Sequence, residues 1–226
     1  MNWEDDGFLI AKKKFRENAN IIEVFTHSFG KMSGIVYGGN SRKIRNYLQI
    51  GNKIFVFHSS KGDNKIGYFK TELVEAISPK YFADKKKTSA ILSITSLLSK
   101  LLPENQSNTK IYNSLVELIS NFDMDNWLIL YVYWELNLIK ELGFDTDLSR
   151  FKNKTLEDSD IVKITVDNIK FQIPKFLITS KIPNIISNNL LSKSLIFTRS
   201  IFLNKFFLPN NIMFPKPRIL LENYFN

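Results

Sequence analysis

Five short runs of β-branched and aromatic residues fall within the first 80 positions, each closed off by turn-forming residues. Residues 1–10 lead into Phe8-Leu9-Ile10 and then a basic strand end, Lys12-Lys13-Lys14-Phe15-Arg16. Ile21 to Phe25, Met32 to Tyr37, Ile54 to His58 and Ile66 to Ile77 follow. His27-Ser28-Phe29-Gly30, Gly38-Gly39, Gly51-Asn52 and Asp63-Asn64 supply the breaks, and Ser78-Pro79 ends the series. Such runs predict strands. Five in so little chain predict a small closed or nearly closed barrel, because closure removes unpaired strand edges. Among barrels of this size, the OB-fold is the one most often found on single-stranded nucleic acid.

Residues 23–51 are the centre of this region. Gly30 allows a tight turn through a positive φ, and a strand returns through Tyr37. A flexible cationic loop is expected next, with Ser41, Arg42, Lys43 and Arg45 beside Gly38-Gly39. Backbone without side chains would let a phosphate come close there. Tyr47-Leu48 is then expected to begin the strand that continues at Ile54.

The apolar period changes from two to 3.6 at about residue 80. Residues 84–102 carry apolar side chains at 91, 94, 97, 98, 101 and 102, with Asp84 as N-cap and Pro103 as the stop. A second helix runs from Asn108 or Thr109 to Ile119. A third, Trp127 to Leu142, is capped by Asp125, is apolar nearly all round and stops at Gly143. Two alternating runs from Ile161 to Ile173, split by Asp167-Asn168, predict a β-hairpin. Pro174 and Pro183 bracket a helical turn, Leu190 to Phe207 is a last amphipathic helix, and the tail from Pro209 to Asn226 is expected to be extended. The expected fold is α+β: a five-stranded barrel domain at 1–80, then a helical domain at 81–226 with an insertion at about 150–175.

The chain of 226 residues has 44% hydrophobic residues, enough for a true core. It has no cysteine, which removes disulfides, thiolate nucleophiles and Cys-ligated zinc. No run of 18 apolar residues occurs, and the acidic opening Glu4-Asp5-Asp6 is unlike a secretory leader, so a cytosolic protein is expected. Net charge is +9. Residues 11–70 hold 12 Lys and Arg against 3 Asp and Glu, and the rest of the chain is balanced. Lysine is also favoured by A/T-rich codons, so arginine is the better witness. Two of the six arginines are Arg42 and Arg45.

Chemistry-bearing sets are few. His27 and His58 are the only histidines, and no phosphate-cradling glycine motif occurs. Asp145, Asp147, Glu157, Asp158 and Asp160 lack calcium-loop spacing and read as a solvated loop. No cofactor and no metal are expected. The cations Lys12, Lys14, Arg16, Lys31, Arg42, Lys43 and Arg45 interleave with Phe15, Phe29, Tyr37 and Tyr47. Cations neutralise phosphates, and aromatic faces stack on unpaired bases. The competing reading puts the aromatics in the barrel core and the cations on a solubilising face. In the last helix, Phe202 and Phe206 beside Lys193, Arg199 and Lys205 are a candidate apolar pocket rimmed by charge, suited to an acidic peptide.

Several segments carry a family resemblance. They are Trp3-x-Asp5-x-Gly7-Phe8-Leu9-Ile10, Glu23-Val24-Phe25-Thr26-x-x-x-Gly30-Lys31, Gly38-Gly39-x-Ser41-Arg42 and Leu48-Gln49-Ile50-Gly51-Asn52. Tyr112, Glu141-Leu142-Gly143-Phe144 and Asp147-Leu148 extend the set. Their order resembles the bacterial DNA repair protein RecO family over residues 1–150. The resemblance implies an OB-fold followed by a helical domain, in a non-enzymatic mediator of homologous recombination. It further implies binding of single- and double-stranded DNA and annealing of complementary strands. The implied partners are RecR, the acidic C-terminal tail of single-stranded DNA-binding protein, and RecA, which the mediator helps to load. Lys31, Arg42, Lys43 and Arg45 are then the DNA contacts, and the final helix is the candidate site for the acidic tail. The protein alone is expected to be a monomer without a membrane partner. Many members carry a four-cysteine zinc module after the Leu-Gly-Phe segment; here a metal-free hairpin at 155–173 is expected in its place. The alternative is a barrel that binds RNA or a protein in translation or ribosome assembly, and an enzyme ranks third.

Overall fold

A computed structural model of the chain describes residues 2–39, 41–60, 66–144, 147–156, 159–166, 168–183 and 186–226. The expected turn at Asp63-Asn64 lies outside them, as does Asp167 of the hairpin turn. Two compact units are formed: residues 1–113 with 215–218, and residues 114–214 with 219–226.

The first unit is built on strands β1 (Asn2–Arg16), β2 (Ala19–Thr26), β3 (Gly30–Tyr37), β4 (Lys53–Ser59) and β5 (Gly67–Glu75). They close in the order β1-β2-β3-β5-β4, and β4 returns to β1. This is the OB-type barrel that the strand spacing predicts. All pairings are antiparallel except β3 with β5, which meet in parallel at Gly34–Gly67 and Ile35–Tyr68. Glycine is required at this seam. A Cβ on Gly34 would lie 2.4 Å from the Phe69 ring, and one on Gly67 would lie 1.9 Å from His58 Nε2. Inside the barrel, Leu9, Ile22, Val24, Val36, Leu48, Ile54, Val56 and Phe69 form the core.

Trp3 stacks on Phe29 at 4.3 Å and on His58 at 4.9 Å. Burial pushes the His58 pKa below the ordinary histidine value, so the ring stays neutral at physiological pH. His58 is buried, and half-buried Phe29 packs against the barrel core.

The expected cationic loop is instead a helix, α1 (Arg42–Tyr47). Ser41 Oγ accepts the Ile44 N–H, an N-cap. Ile44, Tyr47 and Leu48, spaced i, i+3 and i+4, pack against the barrel core. Tyr47-Leu48 thus ends a helix and does not begin a strand. Tyr47 donates its hydroxyl to the Thr71 carbonyl at 2.6 Å, and Asn52 Nδ2 donates to the Tyr47 carbonyl at 2.9 Å.

Ile77, expected at the end of the fifth strand, opens the short helix α2 (Ile77–Lys80) and is buried. Helix α3 (Lys85–Leu101) then packs on β1, with Asp84 Oδ1 accepting the Lys86 and Lys87 N–H groups at 3.0 Å. Helix α4 (Thr109–Ser120) begins with Asn108 Oδ1 accepting the Ile111 N–H. Tyr112 in its first turn packs against Phe8 at 5.7 Å, Phe25 at 5.6 Å and His27 at 5.3 Å.

In the second unit, α5 (Trp127–Glu141) packs on α7 (Asn188–Phe202). Their contact contains a buried carboxylate: Tyr131 donates to Glu135 Oε1 at 2.7 Å and Thr198 to Glu135 Oε2 at 2.5 Å. After a 3-10 segment, Leu148–Leu156, the expected hairpin is present as β6 (Ile161–Val166) and β7 (Ile169–Pro174). β7 lies on α7, where Phe171 meets Phe197 edge to face at 5.1 Å. The short α6 (Phe176–Thr179) follows.

The last helix does not run unbroken to Phe207. It gives way to a π-turn at Leu203–Phe207. The tail, expected to be extended, contains α8 (Lys216–Asn223), with Leu221 and Phe225 buried. Proline is tolerated in a helix's first turn, so Pro217 stands inside this helix although the tail was expected to be extended.

Replacing Tyr112 with alanine is expected to destabilise the chain by about 3 kcal/mol, as removal of a buried aromatic from a packed site does. Urea denaturation followed by circular dichroism checks this, and an unchanged midpoint would contradict it.

Candidate nucleic-acid interface

Two basic segments meet at one end of the barrel. The far end of β1 pairs with the start of β2 through Lys12–Ile22, Lys14–Asn20 and Arg16–Ala19. The end of β3 joins the same ladder through Ala19–Tyr37, and the Gly38 N–H donates to the Asn18 carbonyl at 2.8 Å. Helix α1 starts four residues later, so Arg42, Lys43 and Arg45 stand next to the β1 cations. One direct bond joins the two: Lys12 Nζ donates to the Leu48 carbonyl at the end of α1, 2.6 Å away. Burial, and then the nearby Arg45 charge, push the Lys12 pKa below its ordinary value. Lys14, Arg16, Arg42, Lys43 and Arg45 are all exposed.

Lys31 does not join them. It is buried at the start of β3, and its ammonium donates to the Ser99 carbonyl of α3 at 2.8 Å. Six residues of strand, about 20 Å, separate it from Tyr37. Gly39 also departs from the expected role. A Cβ there would lie 2.4 Å from Asn20 Nδ2, so its bareness serves packing and not the approach of a phosphate.

The aromatics divide. Phe29 and Tyr47 are partly buried and occupied in packing. Phe15 and Tyr37 are exposed, with the Arg16 guanidinium 5.2 Å from the Phe15 ring centre. Tyr68 was not among the residues singled out from sequence. It lies exposed and stacked on Tyr37, with centroids 5.5 Å apart and planes 21° from parallel. Its alternation with buried Gly67 and Phe69 was the available signal.

The expected partner pocket of α7 does not form as one surface. Phe202 is fully buried, with Phe206 against it at 6.1 Å. Lys193 donates to Gln172 Oε1 at 2.8 Å, and Arg199 pairs with buried Glu222 at 3.4 Å. Of the five, Lys205 lines a cleft of about 170 Å³, with Phe144, Val166 and Phe171. Its ammonium stands 4.4 Å from the Phe144 ring centre. Among the described residues, no group of three His, Asp or Glu side chains is placed to hold a metal. Asp145, Glu157 and Asp158 lie outside them. No described helix is long and apolar enough to cross a membrane.

A family model described as Recombination protein O N terminal matches residues 1–77, and one described as Recombination protein O C terminal matches residues 83–151. The chain belongs to the recombination protein O family. A DNA repair protein RecO from Ehrlichia chaffeensis is 37% identical over 177 residues, covering 77% of this chain and 68% of that protein. Proteins of the same name from Wolbachia pipientis subsp. Culex pipiens and Cereibacter sphaeroides are 34% and 32% identical, each over 66% of this chain. In those two the match spans 62% and 63% of their own length. An asparaginyl-tRNA synthetase structure from Entamoeba histolytica matches at a TM-score of 0.33 and 10% identity, covering 95% of this chain and 60% of that one. A likeness that weak carries no argument.

An anion seated beside Arg45 would raise the depressed Lys12 pKa, so such binding would take up a proton between the free and bound values. Affinity for an oligonucleotide is therefore expected to fall as pH rises toward the ordinary lysine value of about 10.4. Lys12→Arg stays charged there, and its affinity should fall less. Anisotropy titrations across pH check this; identical profiles for the two proteins would contradict it.

Proposed function

We propose that this chain is a non-enzymatic, cytoplasmic mediator of DNA repair by homologous recombination. In this reading residues 1–80 are the DNA-binding domain and residues 81–226 the partner domain. The chain holds single- and double-stranded DNA by charge and anneals complementary strands by screening repulsion between their backbones. With RecR it helps load RecA onto DNA coated by single-stranded DNA-binding protein. One observation carries the reading: Lys12, Lys14, Arg16, Arg42, Lys43 and Arg45 converge at one end of an OB-type barrel. Membership in the recombination protein O family supports it, as does the name DNA repair protein RecO borne by relatives. Lys31 is left out of the DNA contacts, because it is buried and lies at the opposite end of β3 from this cluster.

Each phosphate neutralised by a cation releases counterions, so binding must weaken with salt. Arg42→Glu with Arg45→Glu is expected to lower DNA affinity at least about tenfold at low salt. It should also flatten the log–log salt slope by about 0.7 for each single-strand phosphate that is no longer neutralised. Fluorescence anisotropy measures both, and unchanged affinity would remove the site from this end of the barrel. Stronger competition by folded RNA than by DNA would favour a role in translation instead.

Capture of the acidic tail is assigned to the cleft lined by Lys205 and Phe171. Lys205→Glu is expected to weaken binding of an acidic peptide ending in an apolar residue and to spare DNA binding. Calorimetry with that peptide checks it; equal weakening of both activities would contradict the assignment.

A further inference from the structure

Tyr37 and Tyr68 form an exposed stacked pair on the outside of the barrel, 55% and 41% accessible. Two adjacent ladder rows define this face. One runs Lys13, Ile21, Ile35, Tyr68; the other runs Arg16, Ala19, Tyr37. Residues opposite one another across a ladder share a sheet face. The face therefore carries exposed cations on β1 and exposed flat rings at the seam, with buried Ala19 and Ile35 and half-buried Ile21 between them. Two strand spacings, about 10 Å, separate Arg16 from Tyr37. Neither row carries a carboxylate. Exposed Lys70, two residues beyond Tyr68 on β5, adds a cation on the other side.

We infer that the Tyr37–Tyr68 pair is a base-stacking subsite for an unpaired DNA strand. The inference rests on the DNA-binding reading above and adds a preference to it. The cation cluster contacts phosphates, which single strands and duplexes both present. Tyrosine rings contact the flat faces of bases, which a duplex hides within its own stack. Every base has such a face, so this subsite favours single strands without selecting a sequence. Its charge pattern, cations on both flanks and no acid in either row, matches a phosphate chain that lays its bases across the seam.

The test uses the whole chain and three labelled ligands of equal length: oligothymidylate, an abasic strand and a blunt duplex. The abasic strand has the phosphates without the bases. Wild type is expected to prefer oligothymidylate over the abasic strand. Tyr37→Ala with Tyr68→Ala is expected to bind oligothymidylate at least about fivefold more weakly and the other two ligands unchanged. Tyr37→Phe with Tyr68→Phe should match wild type, since the ring is kept. Tyr68 belongs to the closing registers of the barrel, so Tyr37→Ala alone, outside them, repeats the test if the double variant does not fold. Full retention of the preference in the alanine variants, or its absence in wild type, overturns the subsite and leaves charge-driven binding standing. Failure of wild type to bind any of the three overturns the DNA reading itself.

Discussion

Closure of the barrel depends on one short seam, where two residues of β3 run parallel to two of β5. Parallel pairing over so few bonds is weak in itself. The seam holds because the interior behind it is filled by rings. Phe69 occupies the space that a side chain at 34 would need, and His58 the space needed at 67. Trp3 then stacks on His58 and ties β1 into the same cluster. Without the two glycines those rings could not lie flat against the backbone, and the sheet would stay open. An open sheet would separate the β1 cations from α1 and Tyr37 from Tyr68.

Much of this was legible in the residues. Strand spacing located all five strands, and Gly30, Gly38 and Gly51 take the positive φ that their turns need. The switch to a 3.6 period located α3, α4 and α5, and the hairpin followed from two alternating runs. Helix α1 was missed because its six residues are dominated by charge, although Ser41 followed by Ile44, Tyr47 and Leu48 is a cap and an apolar stripe. Helix α8 departs from the expected extended tail because a single proline, Pro217, sits in its first turn, where the missing N–H costs nothing.

The site residues were less legible, for a general physical reason. Residue type reports what a side chain can do, while partners decide whether it is available. Lys31 and Lys14 are alike in sequence, yet one is buried against a helix carbonyl and the other is exposed. Phe202 and Phe15 differ in the same way. Alternation within a strand or helix gives facing, but the cover over a face comes from elements far away in the chain. Tyr68 is the converse case, an apolar position left open because the seam brings it to the outer wall beside Tyr37.

The docking of α1 has a consequence for how tightly a ligand can be held. Arg42, Lys43 and Arg45 are mounted on a turn fixed by a capping serine, two side-chain bonds and an apolar contact. A disordered basic loop must give up backbone freedom, about 1 kcal/mol or more per residue, whenever it grips an anion. Here that entropy has already been surrendered during folding. On the DNA-binding reading, only the outer rotamers of three long side chains remain to be quenched, so more of the Coulombic attraction would survive as affinity.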